Sequence, residues 1–475
     1  MEDAQILRDI RDLKRLGYVQ EFLREIGGFS SFAVSFSVIS ILTGATQLYG
    51  YGLSHGGPLQ LTAGWCVVSL FTLCVALSMA ELASSYPTAG ASYHWSHILG
   101  GTGLGWLTAS LNIIGQFSLM AGVDYGLAQF LIGLLQLPNT PMISFGLYAG
   151  LLFSHAFFNH RSTRLVAYLN DFSAWYHLAG VTLLMALLCW KGLPQSPRFL
   201  VTFHSSDGFR PWYSLIVGLL LSQWTLTGYD ASAHVTEETI DPRRRAPWGI
   251  VSAVGISIVA GLLMLAIITL SIPDLNQATQ FGDNAFIEIM KLRLGEKGAT
   301  TVLAMVAGAM WLCGLAGMTS ASRIVYAFAR DQGLPYWRFW AKVSPSHKTP
   351  AQAIWGIAAF ALILALSVSI YSAVVSIATI ALSLSYAIPL VVRLRRRQRG
   401  RADFIGPWNL GRYSSAIAFI AVAWTVFITV VFVLPPNEQA GYVMAALLAA
   451  LFILWRLFVR FRFTGPCLLT QGDAP

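Results

Sequence analysis

The chain has 475 residues, of which 55% are hydrophobic and only 11% charged, with a formal net charge of +9. Soluble domains carry about 25% charged residues, so this composition excludes a soluble globular protein. Apolar runs of about 20 residues, long enough to cross a bilayer as helices, recur along the whole chain, and no stretch between them is large enough for a separate soluble domain.

In chain order, residues 1–26 are charged and amphipathic. They lack the short apolar region and cleavage site of a signal peptide. Ile6–Ile26 is expected to form a helix lying on the cytoplasmic face of the bilayer. Twelve spans are expected at 28–54, 58–83, 102–135, 142–158, 164–190, 212–237, 247–271, 300–329, 350–369, 372–394, 412–434 and 440–461. The stretch 272–299 is polar and is no span; within it Ala285–Leu294 reads as a short amphipathic surface helix. The expected organisation is a cytoplasmic segment (1–26), a five-helix unit (27–190), an exoplasmic linker (191–211), a second five-helix unit (212–394), a basic cytoplasmic loop (395–411), two further helices (412–461) and a cytoplasmic tail (462–475).

Charge tests this topology. With a cytoplasmic N-terminus, 25 of the 31 Lys and Arg fall in or beside cytoplasmic segments and 6 on the other side. That is the positive-inside pattern, with both termini cytoplasmic in a plasma or inner membrane. It explains the net charge without nucleic acid, and it makes the Arg393–Arg401 run a topology anchor beside anionic lipid. Cysteines 66, 74, 189, 313 and 467 have neither metal-ligand spacing nor a disulfide framework. Gly100–Gly105 lacks the Lys of a phosphate loop. With no nucleophile–base arrangement either, nothing points to an enzyme, a cofactor, a metal or an obligate protein partner.

Two spans look interrupted. In 38–52, Thr43, Gly44 and Thr46 sit mid-span; in 223–239, Gln223-Trp-Thr-Leu-Thr-Gly228 does. The breaks fall in the first and sixth spans, corresponding positions of two five-span halves. Because five is odd, the second half must be inverted. This is the sequence pointer to an inverted-repeat transporter. Unwound backbone survives at mid-membrane only where it lines a site: helix N-termini suit an anion and free carbonyls a cation. The competing account is that Gly44 and Gly228 let helices pack closely.

Three motifs add a resemblance. Glu81-Leu-Ala-Ser-Ser-Tyr-Pro-Thr-Ala-Gly-Ala-Ser-Tyr93, Thr227-Gly-Tyr-Asp-Ala-Ser-Ala-His-Val-Thr-Glu-Glu238 and Ala321-Ser-Arg-Ile-Val-Tyr-Ala-Phe-Ala-Arg-Asp-Gln-Gly-Leu-Pro335 resemble the second, sixth and eighth spans of the amino acid–polyamine–organocation superfamily. The wording is nearest its amino acid/choline branch, with GABA and choline permeases. The resemblance implies an all-α, LeuT-like fold: twelve transmembrane helices, a 5+5 inverted repeat with helices 1 and 6 broken, plus two C-terminal helices. It also implies alternating access. The substrate carboxylate is then expected against Thr43, Gly44, Ala45 and Thr46. The amine is expected against carbonyls of Gln223, Trp224, Thr225 and Leu226, before Gly228. Trp224 stands where an aromatic gate closes over the substrate, or is an ordinary packing residue.

Ionisable groups inside spans are functional candidates by default. Asp230 reads either as a coupling or gate residue or as the cap of the second half-helix; the family often has Glu here, and Asp is shorter. His177 stands near a position held by Lys in proton-coupled relatives. It reads as the proton carrier or as a hydrogen-bonded fixture joining the first and eighth spans. Thr319 and Ser320 are alternative sodium ligands, or bond back to their own helix. Gln116, and with lower priority Trp311, are pocket candidates. Asn112 reads as an interhelical hydrogen bond and Asp124 as interfacial. Glu81 is expected to pair with Arg164 or Arg323 in a cytoplasmic gate, and Glu237 and Glu238 with Arg243–Arg245. The expected function is transport of a small amine-bearing solute such as GABA, coupled to H+ or Na+ or running as an exchange. The alternatives are choline or polyamine transport and a non-transporting membrane sensor.

Overall fold

Thr140 and Ser162 show how local chemistry starts the helices. Their side chains accept from the N–H groups of Ile143 and Leu165, opening helices at Pro141–Arg161 and Thr163–Trp190. The structure is a computed structural model that describes residues 2–367, 371–400 and 404–466. Cys467, Arg401 and most of the expected tail lie outside the described residues.

The helices used below are α1 (Glu2–Arg15), α2 (Gly28–Ile39), α3 (Ile41–Gln47), α4 (Tyr49–Ser54), α5 (Trp65–Ser85), α6 (Ser92–Gly100), α7 (Thr102–Leu134), α8 (Pro141–Arg161), α9 (Thr163–Trp190), α10 (Pro211–Thr225), α11 (Ala231–His234), α12 (Pro242–Leu270), α13 (Ala285–Arg330), α14 (Ala351–Ser367), α15 (Tyr371–Gln398), α16 (Ser414–Val431) and α17 (Glu438–Leu457). Among the described residues, ten helices are long and apolar enough to cross a membrane. The expected sixth span is instead split between α10 and α11, and the expected ninth, α14, has 17 residues. Among the described residues, β pairing is limited to a short antiparallel pairing of His55–Gly56 with His204–Ser205 and an isolated bridge, and the rest is helices and their connections.

Several expectations change. The helix expected over Ile6–Ile26 stops at Arg15, where Gly17 turns with φ 86°. The rest is an extended strap across the face that carries the N-terminus; it ends in a parallel bridge between Ile26 and Thr239. Helix α1 does not merely lie on lipid: Asp9 accepts from the Asp241 N–H at 2.8 Å and Leu13 is buried. Helix α6 was not expected at all. Ala285–Leu294 does form a helix, but as the first part of α13, joined to the rest through Gly295 (φ 70°), and Phe286, Ile289 and Met290 bury one face of it. A Cβ on Gly50 would collide with the Gly282 backbone carbonyl. Gly50→Ala is therefore expected to cost about 1–3 kcal/mol through overpacking, read as a lowered thermal midpoint in detergent.

The first break is displaced from its expected place. Helix α2 ends at Ser40, whose φ of 37° and ψ of 78° are left-handed. Thr43 and Gly44 already donate to the Ser40 carbonyl at 2.8 and 3.0 Å, so Thr43–Thr46 are helical rather than unwound. Gly44 serves close approach instead: a Cβ there would stand 2.8 Å from Thr225 Cα. In the sixth span the chain leaves the helix after Thr225, and Gly228 takes φ 88°, which L side chains rarely adopt. The two glycines thus have different physical reasons.

Candidate functional site

The two broken spans touch at Gly44–Thr225 and again at Gly228, where an added Cβ would collide with Val38. Around this crossing lie three buried polar groups of side chains.

The first surrounds Ser40. Its hydroxyl is 2.5 Å from Thr43 Oγ1 and 2.6 Å from His177 Nε2, while His177 Nδ1 donates to the Ser173 carbonyl at 2.8 Å. His177 thus ties α9 to the break in the first span, not to the eighth span. Cys313 Sγ of α13 lies 3.3 Å from the Val38 carbonyl, at the same level.

The second surrounds Asp230, which is fully buried. It occupies the cap position of α11, yet its side chain makes no capping bond. Tyr386 Oη donates to its Oδ1 at 2.7 Å; Asn112 Nδ2 and His234 Nε2 reach its Oδ2 at 3.3 and 3.0 Å. Asn112 also donates to Ser385 at 3.1 Å, so it does link helices, with Asp230 as one end of the link.

The third runs along the α7–α13 seam. Gln116 donates to Ser320 at 3.3 Å, and Thr319 donates to Asn159 at 2.8 Å. Asp124, expected at the interface, is instead fully buried and paired with His155 at 3.2 Å.

The remaining expected site residues divide. Trp224 packs at the crossing, 3.3 Å from where a Cβ on Gly122 would be. Ala45 and Leu226 are completely buried beside it. The hydroxyls of Thr46 and Thr225 bond back to the carbonyls of Leu42 and Leu221. Two residues point elsewhere. Gln223 accepts from Trp424 of α16 at 3.0 Å, and Trp311 donates to Ser154 of α8 at 2.9 Å. Ser40, His234 and Tyr386 were missed. His234 had a readable signal, since it stands four residues after Asp230 on what had to be a helical turn.

A crossing of broken first and sixth spans agrees with comparison to known proteins. A family model described as amino acid permease matches residues 26–457. The chain belongs to the amino acid permease family. It lies within the amino acid–polyamine–organocation superfamily, whose members are transporters rather than enzymes. The permease is 38% identical to amino-acid permease BAT1 of Arabidopsis thaliana, over 96% of this chain and 95% of that protein. It is equally 38% identical to the BAT1 homolog of Oryza sativa subsp. japonica, over 97% and 96%. It is 28% identical to the GABA-specific permease of Saccharomyces cerevisiae, over 93% and 81%.

In this permease the N-terminal face is closed by ion pairs that differ from those expected. Glu238 pairs with Arg323 at 2.7 Å, and Glu237 accepts both Arg330 guanidinium donors at 2.8 Å. Neither reaches Arg243–Arg245, because the chain turns at 235–238 and aims both carboxylates at α13. Glu81 pairs with Arg393 at 2.8 Å and lies 3.7 Å from Arg397, not Arg164 or Arg323. The strap joins this closure. Arg24 donates to the carbonyls of Thr236 and Thr239, and the Tyr18 ring lies under Arg330 at 4.0 Å. Tyr18, Tyr93 and His94 all converge on Asp331 Oδ2 at 2.9–3.0 Å. Burial pushes the Asp331 carboxyl up, but the His94 hydrogen bond and charge, Arg330 and Tyr18 outweigh it and hold it below the usual Asp range.

Proposed function

We propose that the permease is a secondary active transporter of amino acids or related amines such as GABA, working by alternating access. The observation that carries this reading is the close crossing of the two broken spans, Gly44 against Thr225 and Gly228 against Val38, next to the left-handed turn at Ser40 and the end of α10 at Thr225. Each interruption presents backbone polar groups that hydrocarbon does not tolerate unless they line a site. In this reading the substrate carboxylate lies against Thr43–Thr46 and its amine against the carbonyls ending α10, with Trp224 closing over it. Twelve spans arranged as a 5+5 inverted repeat plus α16 and α17 would place both breaks at the membrane centre.

The charge asymmetry supports a cytoplasmic N-terminal face in a plasma or inner membrane. GABA is suggested by the yeast relative's name, which is a statement about that protein. Proton coupling fits better than sodium coupling, because Thr319 already faces Asn159 and the Leu315 carbonyl, and Ser320 already accepts from Gln116.

Purified protein in liposomes, given labelled GABA, neutral amino acids, choline or putrescine under separate pH and sodium gradients, tests the reading. Accumulation or exchange of an amino acid is expected. Transport of choline or putrescine alone would move the substrate class, and absence of all flux would overturn the proposal.

A further inference from the structure

We infer that His234 and Asp230 together hold one dissociable proton, and that this pair, rather than His177, is the proton-coupling site of the permease. The inference deepens the transport reading above and rests on it for the word coupling; the proton itself is argued from geometry alone.

The two histidines differ in what faces them. His177 Nδ1 faces the Ser173 carbonyl, which only accepts, and Nε2 faces the Ser40 hydroxyl, which donates as readily as it accepts. A neutral ring with its hydrogen on Nδ1 satisfies both. His234 has no such freedom. Its Nδ1 is 3.0 Å from the Ala89 carbonyl and its Nε2 is 3.0 Å from Asp230 Oδ2. A neutral imidazole has one N–H. If Nδ1 donates to Ala89, the Nε2 lone pair meets a carboxylate, and two acceptors face each other in a fully buried place. If Nε2 donates to the carboxylate instead, the Nδ1 lone pair meets the Ala89 carbonyl. Both contacts are satisfied together only when one further proton is present, either as imidazolium beside carboxylate or as neutral imidazole accepting from a carboxylic acid.

The other contacts of Asp230 are donors: Tyr386 to Oδ1 and Asn112 to Oδ2. They settle the carboxylate but cannot relieve the lone-pair conflict with His234. Among the described residues, no packing element supplies the pair with an unmatched charge. From α2, the Ser35 hydroxyl and the Ser31 backbone carbonyl bond to the neighbouring Ser232 hydroxyl, which donates to that carbonyl. From α12, Gly249 lies against Ser232; from α15 comes the Tyr386 phenol, with the Tyr229 ring tilted against it at 5.3 Å. Beyond the next turn, Arg323 and Arg330 of α13 are matched by Glu238 and Glu237, and Asp331 by His94.

Proton loss therefore leaves a net negative pair with opposed lone pairs at the start of α11, immediately after the Gly228 break. The carboxylate is the stronger acceptor and keeps the remaining hydrogen on Nε2, so the contact that is lost is His234 Nδ1 to Ala89, which joins the sixth span to the loop between α5 and α6. Release of the proton thus loosens the half-helix from the N-terminal face.

The test uses the full chain and three variants: His234→Asn, Asp230→Asn and His177→Asn. Infrared difference spectra on acidifying purified protein should show a protonation signal in wild type that His234→Asn and Asp230→Asn each lose and His177→Asn retains. In liposomes at equal pH inside and out, His234→Asn should exchange amino acid within about threefold of wild type. Its accumulation under a pH gradient should fall to a ratio of one. A His234→Asn variant that keeps the wild-type infrared signal, or that accumulates as steeply as wild type, overturns the inference. Wild type that exchanges amino acid without responding to the pH gradient overturns the coupling role. Wild type with no flux of any amino acid overturns the transport reading, and the infrared arm then decides the shared proton by itself.

Discussion

Arg323→Ala should destabilise the permease by about 3–5 kcal/mol, the range for stripping the partner from a buried charge. Arg323 is 1% exposed. Its Nε and Nη2 donate to the two carboxylate oxygens of Glu238 at 2.7 and 3.2 Å, and Nη1 donates to Ser322 at 3.0 Å. Alanine leaves Glu238 buried and uncompensated while its backbone carbonyl remains the acceptor for Glu25 and Ile26 of the strap. The loss should therefore reach the strap as well as the pair. A variant carrying both Arg323→Met and Glu238→Gln removes the orphaned charge and should regain at least half the loss, because a matched replacement of a buried pair is often near neutral. Thermal unfolding in detergent reads both. An unchanged midpoint in Arg323→Ala, or a double variant as weak as the single one, would show that the pair does not hold this face.

Gly228→Ala should abolish transport, lowering flux more than tenfold. Two costs combine. An L side chain at φ 88° is strained by about 1–2 kcal/mol, and the new methyl collides with Val38, adding an overpacking cost of about 1–3 kcal/mol. The chain can relieve both only by moving the break away from the first span. A matched control exists in Gly255 of α12, where an added Cβ meets nothing within 4 Å. Alanine there should stabilise slightly, by up to about 1 kcal/mol from helix propensity, with flux retained. Equal flux in both variants would contradict the special role of position 228.

The spans were legible because each is a long apolar run: α7, expected at 102–135, occupies Thr102–Leu134, and α9, expected at 164–190, occupies Thr163–Trp190. That the first and sixth spans are interrupted was legible too, but the residue at the first interruption was not. Glycine invites a reading of unusual backbone, yet Gly44 is helical and Ser40 carries the left-handed turn. Nothing in a serine announces that. The strap was illegible for another reason: residues 16–26 gain their order from partners more than 200 positions away, such as Glu238 and Thr239. Side-chain direction misled in the same way. Gln223 sits next to Trp224 in sequence, but one residue is about 100° around a helix, so it faces α16 while Trp224 faces α7.

The strap has a kinetic consequence. Its bonds run through backbone at Ile26, Thr239 and Glu238, through the Arg24 guanidinium, and through the Tyr18 phenol under Arg330. These contacts share partners: Glu238 holds both the strap and Arg323, while Arg330 holds both Tyr18 and Glu237. Groups wired through common members release together rather than one at a time. In the alternating-access reading proposed above, opening of the N-terminal side is thus an all-or-none event with few half-open intermediates. In that reading the first two dozen residues, far from the crossing of the broken spans, set how often this side opens.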